Sequence, residues 1–394
     1  MRYSLVELLR SPVTGQNLSL EVFAKRERDS AYGWAYCSNY CSRSNRVPSG
    51  SEPCQICGQE EIVEGRLVSE DGKEQYPVIE GIPRLLPQEY MAQVWDRYPK
   101  WLEEYGTHCH SSKSRESHSE IIMQQRTAEQ FGREWQSFDK MLKDFNHVFQ
   151  TYFDLVDLEQ LSHKILLDAG CGMGRWAFHI APKVNRVVAC DLSFAVEPAY
   201  RNCYEHGNVE VVQADIFHPP FKSASFGFIY SLGVLHHLPN PFAGFASLKR
   251  LLSDDGKILI YLYYNLENKP LYFRSLKRAV DLVRQFTTRV PTSVSYPVAF
   301  AVAVCIYLPL VWYGDLMRRL GLKDVGRKIP LYQTYMGKSF RLIYNDAVDR
   351  LTAPIENRYS KREVIDWFLK VGFCNIRISD SAPFWKACGQ LCKH

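Results

Sequence analysis

Residues 165–176 read ILLDAGCGMGRW, an apolar run that ends in Asp168 and is followed by glycines at 170, 172 and 174. Apolar runs of this kind form parallel strands buried on both faces. Glycine tolerates positive φ and lets a ligand approach the backbone closely. The stretch predicts a strand, a tight turn that cradles a nucleotide, and the first turn of a helix. Its spacing, D-x-G-x-G-x-G, separates it from two other nucleotide loops. The dinucleotide fingerprint places a glycine three residues after the second one, where Arg175 stands. The phosphate loop ends in G-K-[ST], which is absent here.

The segments that follow repeat the strand-then-acid pattern. Residues 186–192 (RVVACDL) predict a second strand ending in Asp191, where an acid can accept both ribose hydroxyls. Residues 209–215 (VEVVQAD) predict a third, ending in Asp215, and residues 226–231 a fourth, ending in Ser231 and followed by LGVLHHLPNP. A helix over 241–252, a DDG turn and a fifth strand, KILIYLYY, complete the run. An ordinary α/β sheet whose glycines only make turns is the plain alternative. Ligands of α/β sheets, however, bind at strand C-termini, and four motifs lie there in order.

In that order and at those intervals the segments resemble class I S-adenosylmethionine-dependent methyltransferases, over about residues 131–264 with a return after 359. The resemblance implies an α/β fold with a Rossmann-like, seven-stranded sheet and S-adenosylmethionine as cofactor. It implies a cofactor site at Asp168, Gly170, Cys171, Gly172, Gly174, Asp191, Leu192, Asp215, Ile216 and Ser231. In that family the acid at Asp215 faces the adenine amino group, and the next amide, that of Ile216, faces a ring nitrogen. The LHHLP phrase is typical of the small-molecule branch. FG-x-x-W at 131–135 precedes the first motif, as it does in related enzymes, where the tryptophan closes over the methionine end of the cofactor. For Trp135, plain packing is the competing role.

Methyl transfer is an in-line displacement at an already activated carbon, so positioning carries much of the catalysis. Oxygen nucleophiles also need a base, and histidine has a suitable pKa. His236 and His237, after the fourth strand, are the candidate catalytic residues; the alternative is that they only shape the loop.

The chain has 394 residues, 46% of them hydrophobic, enough for two or three compact units with a substantial core. No apolar signal segment is seen near the start, so a cytoplasmic location is expected, with the twelve cysteines reduced. Within residues 1–88, Cys37, Cys41, Cys54 and Cys57 form C-x3-C-x12-C-x2-C, a spacing suited to a structural, four-thiolate Zn2+ site. LLRSPVTG (8–15) and YPVIEGIPRLLP (76–87) resemble the small zinc-ribbon family that activates class I methyltransferases. Where that family has cysteine knuckles, this sequence has Ser11, Thr14, Ser69 and Gly72, so the ancestral metal site is lost. Residues 89–125 read as a linker, polar and rich in histidine at 107–119.

The expected methyltransferase core spans 126–268 and 343–394, interrupted by an insertion at 269–342. Lys269 to Arg341 hold 13 lysines and arginines against 3 acids, a balance of +10 in a chain whose net charge is +5. Residues 296–313 (YPVAFAVAVCIYLPLVWY) carry no charge and sit at the lower length limit for crossing ~30 Å of hydrocarbon. A buried lid helix is the plainest expectation; a basic-rimmed cap that touches a membrane surface or holds a lipid-linked substrate is another.

These features predict a methyltransferase acting on a small-molecule or lipid- or glycan-linked intermediate, by O-methylation. The alternative is an RNA or protein methyltransferase recruited through the zinc-ribbon-like segment. No nucleic-acid partner is expected, because the N/D-P-P-[YFW] motif for planar nitrogen targets is absent after the fourth strand.

Overall fold

The computed structural model describes residues 1–27, 60–106, 119–267, 271–381 and 385–392. These form two compact units: Met1–Met141 with Phe145–Asn265 and Asn357–His394, and Leu142–Asp144 with Leu266–Glu356.

The first unit holds one sheet of eleven strands among the described residues. They are β1 (Leu18–Glu27), β2 (Glu60–Ser69), β3 (Gln75–Ile79), β4 (Ile82–Leu85), β5 (Ile165–Ala169), β6 (Arg186–Asp191), β7 (Val209–Ala214), β8 (Phe226–Leu232), β9 (Leu252–Tyr261), β10 (Phe373–Ile378) and β11 (Lys386–Leu391). Their order is β1-β2-β3-β4-β7-β6-β5-β8-β9-β11-β10. Strands β5 to β9 are mutually parallel, and β11 runs antiparallel between β9 and β10. Alternate residues feed two cores. Leu167, Val188, Val212, Ile229 and Ile258 point to one face, and Leu166, Val187, Val211, Phe228 and Leu259 to the other.

The sequence expectation of a seven-stranded sheet needs correction. The run β7 to β10 is contiguous, but it does not end at β7, because β4 pairs with β7 in parallel, Arg84 opposite Gln213 and Leu85 opposite Ala214. The N-terminal strands therefore extend the central sheet instead of folding as a separate domain. Arg84 fastens the junction. Fully buried, it donates to Gln213 (2.9 Å) and to the Tyr98 hydroxyl (3.1 Å), with Glu197 at 4.0 Å.

Cys37, Cys41, Cys54 and Cys57 lie outside the described residues. Among the described residues, no group of three or more His, Cys, Asp or Glu is placed to hold a metal ion. The positions where the zinc-ribbon family carries cysteines are hydrogen-bonded turns. The Ser11 hydroxyl accepts from the amides of Val13 (3.1 Å) and Thr14 (3.0 Å). The Ser69 hydroxyl accepts from the Glu74 amide (3.0 Å) and donates to Asp71 (2.7 Å). Neutral hydroxyls that close their own turns make a poor zinc donor set.

The second unit is helical: Leu271–Thr287, a long helix Thr292–Arg319, Lys323–Lys328, Tyr332–Tyr335 and Phe340–Thr352. The long helix widens to π geometry at Ala303–Tyr307. Pro309 lies just beyond; proline has no amide hydrogen and its ring crowds the carbonyl four residues back, which the wider turn accommodates. Ala299, Ala303, Tyr307 and Val311, four residues apart, are buried, and the last three join Tyr332, Tyr335, Ile343 and Ala347 in one apolar cluster. The sequence boundary at 342/343 falls inside helix Phe340–Thr352, which belongs to this unit: the Tyr344 hydroxyl donates to the Tyr296 carbonyl (3.3 Å).

Candidate active site at the strand ends

The loop after β5 runs through Gly170, Gly172 and Gly174, with φ of 86°, 53° and 81°. A Cβ on Gly170 would lie 2.3 Å from Val234, and one on Gly172 2.9 Å from the Trp135 indole nitrogen. Both positions therefore require glycine for conformation and for space. The next strand braces the loop: the Gly172 amide donates to Asp191 Oδ2 (3.0 Å), while Oδ1 accepts from the Ser193 amide (2.9 Å) and hydroxyl (2.7 Å). A carboxylate has about four acceptor positions, so Asp191 keeps one, on Oδ2, for a ribose hydroxyl.

Asp168 lies beneath the loop, fully buried, and neither of its oxygens meets hydrogen-bond geometry with a neighbour. Burial pushes its pKa up to about 8; the nearby Tyr230 hydroxyl opposes this, Asp191 adds repulsion, and Arg175 partly offsets it. A buried polar atom without a partner is costly. A cationic ligand group at the loop would supply what Asp168 lacks.

Asp215 is nearly fully buried and already engaged. Oδ1 accepts from Gln124 Nε2 (2.7 Å) and the Phe217 amide (3.2 Å), and Oδ2 meets His218 Nδ1 at 2.7 Å. Gln124 in turn accepts from the Tyr90 hydroxyl (3.0 Å). The bond to Asp215 raises the pKa of His218.

Helix Ser119–Ser137 lies over all these positions. Gln124 meets Asp215, Phe131 packs on His237 with ring centroids 4.8 Å apart, Gly132 faces Ser193, and Trp135 covers Gly172. The Arg175 guanidinium sits 4.8 Å over the Trp135 ring. Sequence reasoning placed Gln124 in a linker and missed it. The signal was available: 124, 131 and 135 are spaced by seven and four, one face of a helix.

Other expected site residues turn inward. The fully buried Ser231 hydroxyl donates to the Ala169 carbonyl (2.8 Å) and ties β8 to β5. Cys171 is buried in the apolar core. Ile216 is buried too, its carbonyl accepting from Ser247 (2.5 Å), and the Leu192 carbonyl accepts from Gln213 (2.9 Å).

The two candidate catalytic histidines are adjacent rings, 4.2 Å between centroids, in the loop after β8. His236 is fully buried and stacks on Tyr263 at 3.9 Å. Burial, then repulsion from His237 and Arg358, lowers its pKa well below the ordinary histidine value. It is neutral at pH 7 and a weak proton acceptor. His237, Phe131 and Tyr263 present further ring faces beside it.

Residues 167–260 match the model of a methyltransferase domain family. Over 134 residues the chain is 34% identical to a tRNA U34 carboxymethyltransferase of Aliarcobacter butzleri, covering 32% of this chain and 39% of that protein. A tRNA U34 carboxymethyltransferase of Nautilia profundicola is 27% identical over 130 residues, 32% of this chain and 40% of that one. A phosphoethanolamine N-methyltransferase of Triticum aestivum is 35% identical over 126 residues, 30% of this chain and 24% of that one. The chain thus spans well under half the length of these relatives. The match identifies residues 167–260 as an S-adenosylmethionine-dependent methyltransferase domain of class I, an enzyme domain. The relatives also overturn the expectation that no nucleic acid is involved, since tRNA is the named substrate of several of them. The absent N/D-P-P-[YFW] motif does not exclude RNA, because it concerns only one class of target atom.

Proposed function

We propose that this chain is an S-adenosylmethionine-dependent methyltransferase that acts on RNA, with tRNA the first class to test. The observation that carries the acceptor class is the similarity, across the cofactor domain, to enzymes named for tRNA. When bound, the cofactor supplies an electrophilic methyl group on a sulfonium. Asp168 provides the negative partner for its ammonium, the loop at 170–174 admits its backbone-hugging part, and Asp191 takes the ribose. Asp215, held by Gln124, the Phe217 amide and His218, keeps one acceptor position for the adenine edge.

Beside this cradle the rings of His237, Phe131 and Tyr263 cluster, the Phe131 and Tyr263 planes tilted 55° and 78° to that of His237. Enzymes that modify bases take them out of the stack and hold them against aromatic faces. Such stacking is worth ~1–3 kcal/mol per base. A ring of such a cluster that faces the cradle would offer its face to an unpaired base. His236 is fully buried against Tyr263; its depressed basicity argues against it as the proton acceptor that O-methylation would need.

The test is label transfer from methyl-labelled cofactor, offered with total tRNA and, separately, with phosphoethanolamine. The reading expects ribonuclease-sensitive label in tRNA and binding that weakens steeply with salt. Label in phosphoethanolamine alone would overturn the RNA acceptor and favour the small-amine reading that the wheat relative suggests. No cofactor binding by calorimetry would overturn the methyltransferase reading itself.

A further inference from the structure

Helix Thr292–Arg319 has a mean hydropathy of 2.1 over its most apolar window, and only 28% of that window is buried. Its inward side is the ladder of Ala299, Ala303, Tyr307 and Val311 already described. Its outward side is equally apolar: Phe300, Val304, Ile306, Trp312, Tyr313 and Leu316 are 37–65% exposed. Residues 292–314 contain no charged side chain. A soluble helix ordinarily turns charges toward water, and this one offers water a continuous hydrocarbon face. Leu320, Leu322 and Val325 extend the exposed apolar surface past its end.

At that end the composition changes abruptly. Trp312 and Tyr313 are followed by Asp315, which pairs with Arg318 at 3.6 Å, and then by Arg319, Lys323 and Asp324, a local excess of one positive charge. Aromatic residues with one wet and one dry side, next to arginine and lysine, mark the boundary between hydrocarbon and headgroups.

The length of the helix would suffice to cross a bilayer, but the topology excludes crossing. The chain leaves the sheet unit at Asn265 and re-enters it at Asn357, with Tyr264 and Tyr359 paired as a parallel bridge. Both stems therefore lie on one side of any membrane. The helix that leads back, Phe340–Thr352, carries Arg341, Asp346, Asp349 and Arg350, too many charges for a return span.

We propose that the outward face of Thr292–Arg319 lies in the surface of a lipid bilayer with anionic headgroups. The apolar residues between Phe300 and Leu316 enter the acyl boundary, and Arg318, Arg319 and Lys323 pair with lipid phosphates. The second unit is thus a one-sided membrane anchor, independent of the acceptor argued above.

The test uses the full chain and vesicles of phosphatidylcholine, with and without about a third phosphatidylglycerol. Flotation should recover the protein with the anionic vesicles, and recovery should fall as salt is raised. The double variant Trp312→Asp/Leu316→Asp should lose at least about tenfold in vesicle affinity. Both residues are exposed, so circular dichroism and cofactor binding should match the parent. Arg318→Glu/Arg319→Glu should abolish the preference for phosphatidylglycerol. Failure of the parent to float, or unchanged flotation of the aspartate variant, overturns the proposal. A parent that does not float but forms a dimer that the aspartate variant dissolves assigns the face to a second copy instead.

Discussion

Asp168→Asn should make the protein more stable and worse at binding its cofactor. The carboxyl holds its proton up to about pH 8 in the folded chain, against an ordinary value of 3.8. Below about pH 4 both folded and unfolded chains keep the proton, and the residue is neutral to stability. As pH rises from 4 to 8 the unfolded chain releases it first, so folding becomes steadily less favourable; above 8 the cost levels off. Four units at ~1.4 kcal/mol each cap that cost at about 6 kcal/mol. Relaxation around the charge lowers this, and an asparagine amide left unpaired costs about 1–3 kcal/mol. The expected gain is about 2–4 kcal/mol at pH 8 and falls with pH, turning into a loss of about 1–3 kcal/mol near pH 4, where only the amide cost remains. Urea unfolding of the cofactor-free proteins at pH 4 to 8.5 measures it. Calorimetry at pH 8.5, where the parent carboxyl is mostly ionised, should show at least a tenfold loss of S-adenosylmethionine affinity, because the neutral amide cannot pair with the ammonium. Parallel stability profiles for the two proteins, or an asparagine variant that binds the cofactor as tightly as the parent, would refute the assignment.

Gly172→Ala forces a side chain into a backbone at φ 53° and within 2.9 Å of the Trp135 indole. The conformational strain alone is ~1–2 kcal/mol. Tm should fall, and the double variant Gly172→Ala/Trp135→Ala should recover the steric part of that loss. His218→Ala removes a ring whose pKa is raised by its bond to Asp215. A raised histidine stabilises below its ordinary value of 6.5, and that contribution is lost as pH climbs through the raised value. The melting-temperature gap between parent and variant should therefore be widest at pH 6 and shrink by pH 8.

Local patterns in the sequence carried the centre of the fold. ILLDAGCGMGRW encodes strand, turn and helix within twelve residues, and Asp191 is recognisable because it ends an apolar run. What stayed hidden was non-local or depended on the phase of a side chain. Arg84 gives no sign in its own neighbourhood that its strand will pair with one 129 residues away. Ser231 stands next to the end of its strand, where a ligand contact is expected, yet its hydroxyl bonds across to β5. Asp215 looks like a free acceptor until helix Ser119–Ser137 brings Gln124 onto it. In Thr292–Arg319 the buried ladder is masked because the outward face is just as apolar, so hydrophobic periodicity distinguishes nothing there.

The parallel pairing of β4 with β7 also fixes an order of events in the life of the chain. Strand β4 is made well before its partner; at ribosomal speeds of about 5–20 residues per second the wait is on the order of 10 s. During that time the edge of β4 that will pair with β7 stays open, although Ile79 and Leu86 already have Tyr90, Met91 and Val94 to pack on. The same pairing constrains anyone who would isolate the catalytic part. A fragment beginning near residue 126 would present β7 as a bare strand edge, the template on which other chains pair. The smallest soluble fragment should therefore retain residues 60–86, although none of them bears on the chemistry.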